Sequence, residues 1–156
     1  MKKKLKYAYW IPTNKEIDKM LKSYVIEIDY VCTKYEIDIP VFILDSGNDE
    51  IEKLNDAAIR EISRNYPNLS FYYLSLKKQE TIINKIIDRA KLIPEFSQCF
   101  VINEINYGVT MNKIYLIATA LGYDIIHRRD SDTFLQENCP YPPEVEVKYI
   151  GKPFET

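Results

Sequence analysis

Hydrophobic positions along the chain keep two rhythms, short continuous runs and three-and-four spacings, and the two take turns from residue 5 to about residue 127. Leu5 to Ile11 reads as a strand that stops at Pro12. Thr13 and Glu16 then have capping-box spacing, and Ile17, Met20, Leu21, Tyr24, Val25, Ile28, Val31, Cys32 and Tyr35 mark one face of a helix. After Pro40, Val41 to Leu44 is an apolar strand that breaks into Asp45, Ser46, Gly47 and Asn48. Asp49 and Glu52 repeat the capping spacing, and Ile51, Leu54, Ala58 and Ile62 line a second helix that ends near Tyr66 and Pro67. Leu69 to Leu76 predicts a third strand, and Ile82, Ile83, Ile86, Ile87 and Ala90 a third helix closed by Pro94. Cys99 to Ile102 is a short apolar piece with no assigned role. From Gly108 a fourth helix presents Met111, Ile114, Tyr115, Ala118 and Leu121 and halts at Gly122, with a brief strand over Tyr123 to His127 behind it.

Strands joined through helices need crossover connections, so the pattern predicts an α/β fold whose sheet is mostly parallel with helices on both faces. Residues 135–156 differ: Pro140, Pro142 and Pro143 precede one alternating run, Val145, Val147 and Tyr149, with no further helix. The whole length of 156 residues suits one domain. Composition narrows the classes. With 46% hydrophobic and 28% charged residues, the chain is not of the disordered type. Its 21 basic and 23 acidic side chains nearly cancel, which gives no general attraction for nucleic acid or an anionic membrane. A single His excludes His-rich zinc chemistry, and Cys32, Cys99 and Cys139 are too few and too far apart for a disulfide framework or zinc cluster. The basic start, Met1 to Lys6, lacks the apolar run of a signal peptide, and no apolar stretch is long enough for a transmembrane segment, so a cytoplasmic location is expected.

In an open parallel sheet, ligands sit beyond the carboxyl ends of the strands. Three such ends are polar: Pro12, Thr13 and Asn14; Asp45 to Asp49; and Arg128 to Thr133. Singly each has an ordinary explanation as a cap, turn or loop. Together they would face one crevice. Asp130 and Asp132, one residue apart in a loop, have the oxygen chemistry that suits a hard divalent cation, Mg or Mn, which keeps positions for water and phosphate. Arg128 and Arg129 would either add positive charge there or pair with the aspartates, and His127 reads as a packed residue without a chemical role.

The order Gly108, Val109, Thr110, Met111, Asn112, Lys113, a helix to Gly122, a short strand and Asp130-Ser131-Asp132 resembles the donor half of glycosyltransferases with the Rossmann-like GT-A fold. The resemblance covers residues 5 to about 134. It implies a nucleotide-diphosphate sugar as donor and Mn or Mg as cofactor. Carried over by position, Pro12, Thr13 and Asn14 would edge the base and ribose, Asp45 would bond the base or ribose, and Asn112 and Lys113 would approach the nucleotide. Asp130 would contact the ribose or the metal, and Asp132 would be the direct metal ligand bridging to the diphosphate. Breaking the bond from sugar to diphosphate leaves charge on phosphate oxygens, which a divalent cation neutralises as a Lewis acid.

In the resembling enzymes the acceptor-binding half and the base of the inverting members follow the Asp-x-Asp motif. Here Glu137, Glu144 and Glu146 follow it without a matching context, so the tail, 135–156, is expected to be a reduced acceptor part. A homo-oligomer or a partner chain could cover a missing half, and the acceptor is unassigned. Two alternatives stand beside transfer. One is a non-catalytic nucleotide-sugar-binding or assembly module. The other is a phosphatase of the haloacid dehalogenase type, which wants Thr or Val two places after the second Asp, where this chain has Phe134.

Overall fold

The computed structural model describes residues 5–97, 99–100 and 106–134. In chain order the elements are β1 (Tyr7–Thr13), α1 (Asp18–Tyr35), β2 (Val41–Asp45), α2 (Asp49–Asn65), β3 (Phe71–Leu74), α3 (Leu76–Ala90), a single turn α4 (Pro94–Ser97), α5 (Tyr107–Ala120) and β4 (Ile125–Arg128). Among the described residues the strands form one sheet in the order β3-β2-β1-β4, and every pairing there is parallel. The expected α/β class with a parallel sheet is therefore what the chain adopts.

Alternation along the strands decides which helix covers which face. Tyr9, Ile11, Val41 and Ile43 point to one side and pack with Met20, Leu21, Val25, Ile28 and Val31 of α1 and Ile59 and Ile62 of α2. Ala8, Trp10, Phe42, Leu44 and Leu74 point to the other and meet Ile83 and Ile87 of α3 and Ile114, Ile117 and Ala118 of α5. Each fully buried Ile or Leu is worth about 1.5–3 kcal/mol, so a one-residue slip of β1, which would exchange its two faces, is strongly disfavoured. Aromatic rings fix the register on the second face. Trp10, Phe42 and Tyr72 are neighbours across β1, β2 and β3, and their rings stack at centroid spacings of 4.3 and 4.7 Å.

Several boundaries differ from the sequence expectation. β1 does not stop at Pro12 but runs through it to Thr13. The Thr13–Glu16 capping box is absent: α1 begins at Asp18, Ile17 takes the N-cap place without a side-chain bond, and the Thr13 hydroxyl instead closes a turn with the backbone of Lys15. The second cap moves by one residue, because Asn48, not Asp49, accepts from the Ile51 N–H at 3.0 Å. The third strand is shorter than Leu69–Leu76, since Leu76 already opens α3. That helix ends at Ala90 on a left-handed Lys91, and Pro94 opens α4 rather than closing α3. α5 starts at Tyr107 behind an Asn106 cap, and its end bears out Gly122 as a left-handed terminator, φ 76°. β4 covers Ile125–Arg128 rather than Tyr123–His127. Leu54, Tyr115 and Leu121, expected on apolar stripes, are about half exposed. Cys32 and Cys99 are free thiols. Residues 101–102 of the unassigned apolar piece, Cys139, the three tail glutamates and the Val145–Tyr149 run lie outside the described residues. Among the described residues, no helix is long and apolar enough to cross a membrane.

Candidate functional site

The sheet order places a topological switch between β1 and β4. From β1 the chain first builds outward through β2 and β3, then returns to add β4 on the opposite edge. β1 leads into α1 on one face of the sheet, whereas β4 is reached from α5 on the other, so a crevice opens beyond the carboxyl ends of the two strands. That crevice has a volume of about 430 Å³. β1 and the turn after it supply Pro12, Thr13, Asn14 and Lys15; the loop after β2 supplies Ser46; the first turn of α5 supplies Tyr107 and Thr110; and the end of β4 supplies Arg128, Asp130, Ser131 and Asp132.

Backbone bonds hold these segments against one another. Ser46 donates to the Thr13 carbonyl through both its N–H at 2.8 Å and its hydroxyl at 3.1 Å. The Arg129 N–H donates to the Trp10 carbonyl at 3.0 Å, which seats the Asp130–Asp132 loop beside the end of β1. Thr133 donates its hydroxyl to the Asp130 carbonyl and shares a hydrogen bond with the Tyr24 hydroxyl, anchoring the far side of the loop to α1.

Of the residues marked from sequence, Pro12, Thr13, Asn14, Asp130 and Asp132 come together in the crevice. Asp45, Asn112 and Lys113 do not. Asp45 is 2% exposed, and its carboxylate accepts from Gly47 N–H at 2.8 Å, Asn55 Nδ2 at 2.7 Å and the Tyr73 hydroxyl at 2.7 Å. The group lies under the crevice as a brace for the loop after β2. Asn112 is on the exposed side of α5, two positions and therefore about 200° round the helix from the crevice-lining Thr110. Lys113 is buried, and that burial lowers its pKa from the ordinary lysine value while the charge of Glu80 on α3 opposes the shift.

The two arginines separate. Arg128 turns into the crevice, with its guanidinium 5.3 Å from the centre of the Tyr107 ring and Nη2 3.0 Å from Asp130 Oδ2. Arg129 turns to the α1 face, over the rings of Tyr9 and Tyr24 and 3.8 Å from Glu27 Oε1. His127 packs against Tyr7 and Tyr9, as expected of a structural residue. Lys15 Nζ lies 3.3 Å from Asp132 Oδ2 and so joins the turn after β1 to the loop after β4.

Sequence reasoning missed Lys15, Tyr107 and Thr110 in the crevice and Asn55, Tyr73 and Gln79 beneath it. Asn55 is the hub: 1% exposed, it donates to the Lys15 carbonyl and to Asp45 and accepts from Ile17 N–H at 3.1 Å. Gln79, equally buried, donates to the carbonyls of Asp45 and Leu74 at 2.8 Å each. A signal was available for both. Asn55 falls midway in the series Ile51, Asn55, Ile59 and Gln79 begins Gln79, Ile83, Ile87, so each is a polar residue on an apolar stripe.

The donor set of the Asp130–Asp132 loop fits a hard divalent cation. Two carboxylates and the Ser131 hydroxyl are oxygen donors at the mouth of a crevice large enough for a phosphate-bearing ligand. Among the described residues no group of three or more His, Cys, Asp or Glu side chains is placed to hold a metal, so a closed protein cage is not formed there. Mg is commonly held by one or two carboxylates with phosphate oxygens completing its shell, and Asp130 and Asp132 would meet that lesser demand.

No curated protein and no solved structure matches the chain. A model of a family of unknown function, DUF6271, matches residues 6–154, and the chain belongs to that family.

Proposed function

We propose that the chain binds a nucleotide-diphosphate sugar in the crevice between β1 and β4, together with Mg or Mn, and transfers the sugar to an acceptor. One observation carries this reading. Asp130 and Asp132, which follow the last strand, share a single crevice with Pro12, Thr13 and Asn14 at the switch point of the sheet. The same segments carry the sequence resemblance to the donor half of GT-A glycosyltransferases, and a GT-A arrangement is part of the proposal.

In this reading Pro12, Thr13 and Asn14 edge the base and ribose, Asp130 contacts the ribose or the cation, and Asp132 holds the cation. Asp45 supports the pocket from below through Asn55 rather than touching the nucleotide. When bound, a divalent cation would neutralise charge on the departing diphosphate as a Lewis acid. The chain's own residues fix the ligand's place. The Ser46 bonds to Thr13 and the Arg129 bond to Trp10 hold the two walls at a set separation, which is the orientational part of catalysis.

A second reading, a binding module without turnover, is favoured by one feature. Among the described residues lining the crevice, the only carboxylates are Asp130, assigned to the ribose or the cation, and Asp132, assigned to the cation, so none is left over as a base. Calorimetry tests the site that the two readings share, and donor turnover separates them. Nucleoside diphosphate is expected to bind with Mn present, and Asp132→Ala to weaken it roughly ten- to hundredfold, the loss of a charged contact. Equal affinity with and without metal would sink the assignment. Diphosphate release from a panel of sugar donors marks transfer; metal-dependent binding with no release marks the module.

A further inference from the structure

The crevice contains its own counter-ions. Lys15 Nζ is 3.3 Å from Asp132, and Arg128 Nη2 is 3.0 Å from Asp130, so each carboxylate of the loop is paired with a cation that lines the same cleft. Both pairs are open to water: the side chains are 49% and 66% exposed in the first and 35% and 42% in the second. Exposed pairs of this kind are weak and exchange partners readily.

Charge decides what such a site attracts. Two aspartates against one lysine and one arginine sum to zero, and a neutral cleft draws a diphosphate feebly. A divalent cation bound to both carboxylates would displace the ammonium and the guanidinium and leave the cleft doubly positive. Neither basic group then has far to go. Lys15 stands on a flexible stem in the turn after β1, and Arg128 is held at the mouth by the Tyr107 ring, with its planar fork available to two phosphate oxygens.

We infer that Lys15 and Arg128 are the diphosphate-binding groups of this site, held by Asp132 and Asp130 until a divalent cation takes the carboxylates, so that cation and diphosphate bind cooperatively by exchange of ion partners. The inference rests on the reading of the crevice as a cation and diphosphate site. It assigns to Lys15 two opposed effects: it competes with the cation for Asp132 and assists the diphosphate once the cation is bound.

The opposed effects give a signature that a structural lysine would not. The purified full chain is titrated with Mn alone, and then with ADP, CDP, GDP and UDP in turn at fixed free Mn. Lys15→Gln is expected to bind Mn alone about threefold to tenfold more tightly than wild type, because a competing exposed cation is gone. The same variant is expected to bind the diphosphate in Mn roughly tenfold or more weakly. Lys15→Arg, which keeps the charge, should stay within about twofold of wild type in both titrations. Circular dichroism verifies that the variants fold. If wild type binds both ligands and Lys15→Gln shows any other combination of changes, the exchange is overturned and the underlying site stands. If wild type binds neither Mn nor any diphosphate, both fall.

Discussion

Asp45 shows how a single carboxylate can be chemically conspicuous and yet belong to the frame. Three donors converge on it, from Gly47, Asn55 and Tyr73, and its own backbone carbonyl accepts from Gln79. A buried charge is tolerable only when its oxygens are satisfied in this way. The residue was legible as polar and strand-terminal, but not as inward-facing, because the partners lie 10 and 28 residues away on α2 and β3. Tyr73 offers a test. Burial, and then its hydrogen bond to Asp45, raise the pKa of its phenol above the ordinary value of 10.0. Below pH 10 the phenol is protonated folded or unfolded, so its full contribution is present; above pH 10 the unfolded chain ionises first and stability falls. Tyr7 and Tyr123 are shifted in the same direction and add to the fall. Tyr73→Phe is expected to lose about 1 kcal/mol at pH 8 with the hydrogen bond, yet to show a shallower decline from pH 10 upward in urea unfolding. Parallel stability curves for the two proteins would contradict this account.

At the scale of the element, the periodic stretches were readable and the junctions were not. Helical faces such as Met20 to Val31 follow from spacing alone, because burial of one stripe is a local property of sequence. Strand ends depend on the neighbour. Proline removes a donor and is expected to end a central strand. In β1, however, Tyr9 N–H donates toward β2, to the Pro40 carbonyl, while the Trp10 carbonyl accepts from Arg129 on the β4 side. Pro12, two residues beyond Trp10, therefore turns its nitrogen toward β4, whose pairing with β1 has already ended at Trp10 and Arg128. No ladder bond is lost, and the strand continues to Thr13 beside Asp45. The caps moved for a related reason: Thr13 still belongs to β1 and spends its hydroxyl on the Lys15 turn. The β2–α2 junction is equally constrained. A Cβ on Gly47 would stand 2.5 Å from Ile51 Cγ2, 2.8 Å from Ile51 Cβ and 3.0 Å from Asp45 Oδ1. Gly47→Ala is expected to cost about 1–3 kcal/mol as an overpacked site, seen as a lower urea midpoint at unchanged slope. The cost should shrink in an Ile51→Ala background, since the clash is chiefly with that side chain.

For the molecule as a whole, alternating rhythms made the parallel sheet legible, and the crevice followed from where strands of such a sheet must end. Which side chains would enter it was a question of helix rotation and loop path, so Tyr107 and Thr110 took the places expected of Asn112 and Lys113 on the same helix. The crevice joins pieces far apart in sequence, as the pairing of Lys15 with Asp132, 117 residues on, makes plain. A ligand there would bridge the end of β1 to the loop after β4, the edge strand on that side among the described residues. Because both apolar layers are built on β1, β2 and β3, loss of any of these strands exposes both, and unfolding should be a single cooperative event. Ligand bound at one edge then stabilises the entire fold. At a hundred times its dissociation constant, a nucleoside diphosphate with Mn should add about 2.7 kcal/mol, or roughly 5–10 °C in melting temperature for a chain of this size. Asp132 is an exposed loop residue, so Asp132→Asn should leave the ligand-free melting temperature within about 1–2 °C of wild type while abolishing most of the ligand-induced rise. Scanning calorimetry in four conditions, with and without each ligand, makes the comparison. A rise of equal size from diphosphate alone in both proteins would place the binding away from the Asp130–Asp132 loop and would remove the cation from the site.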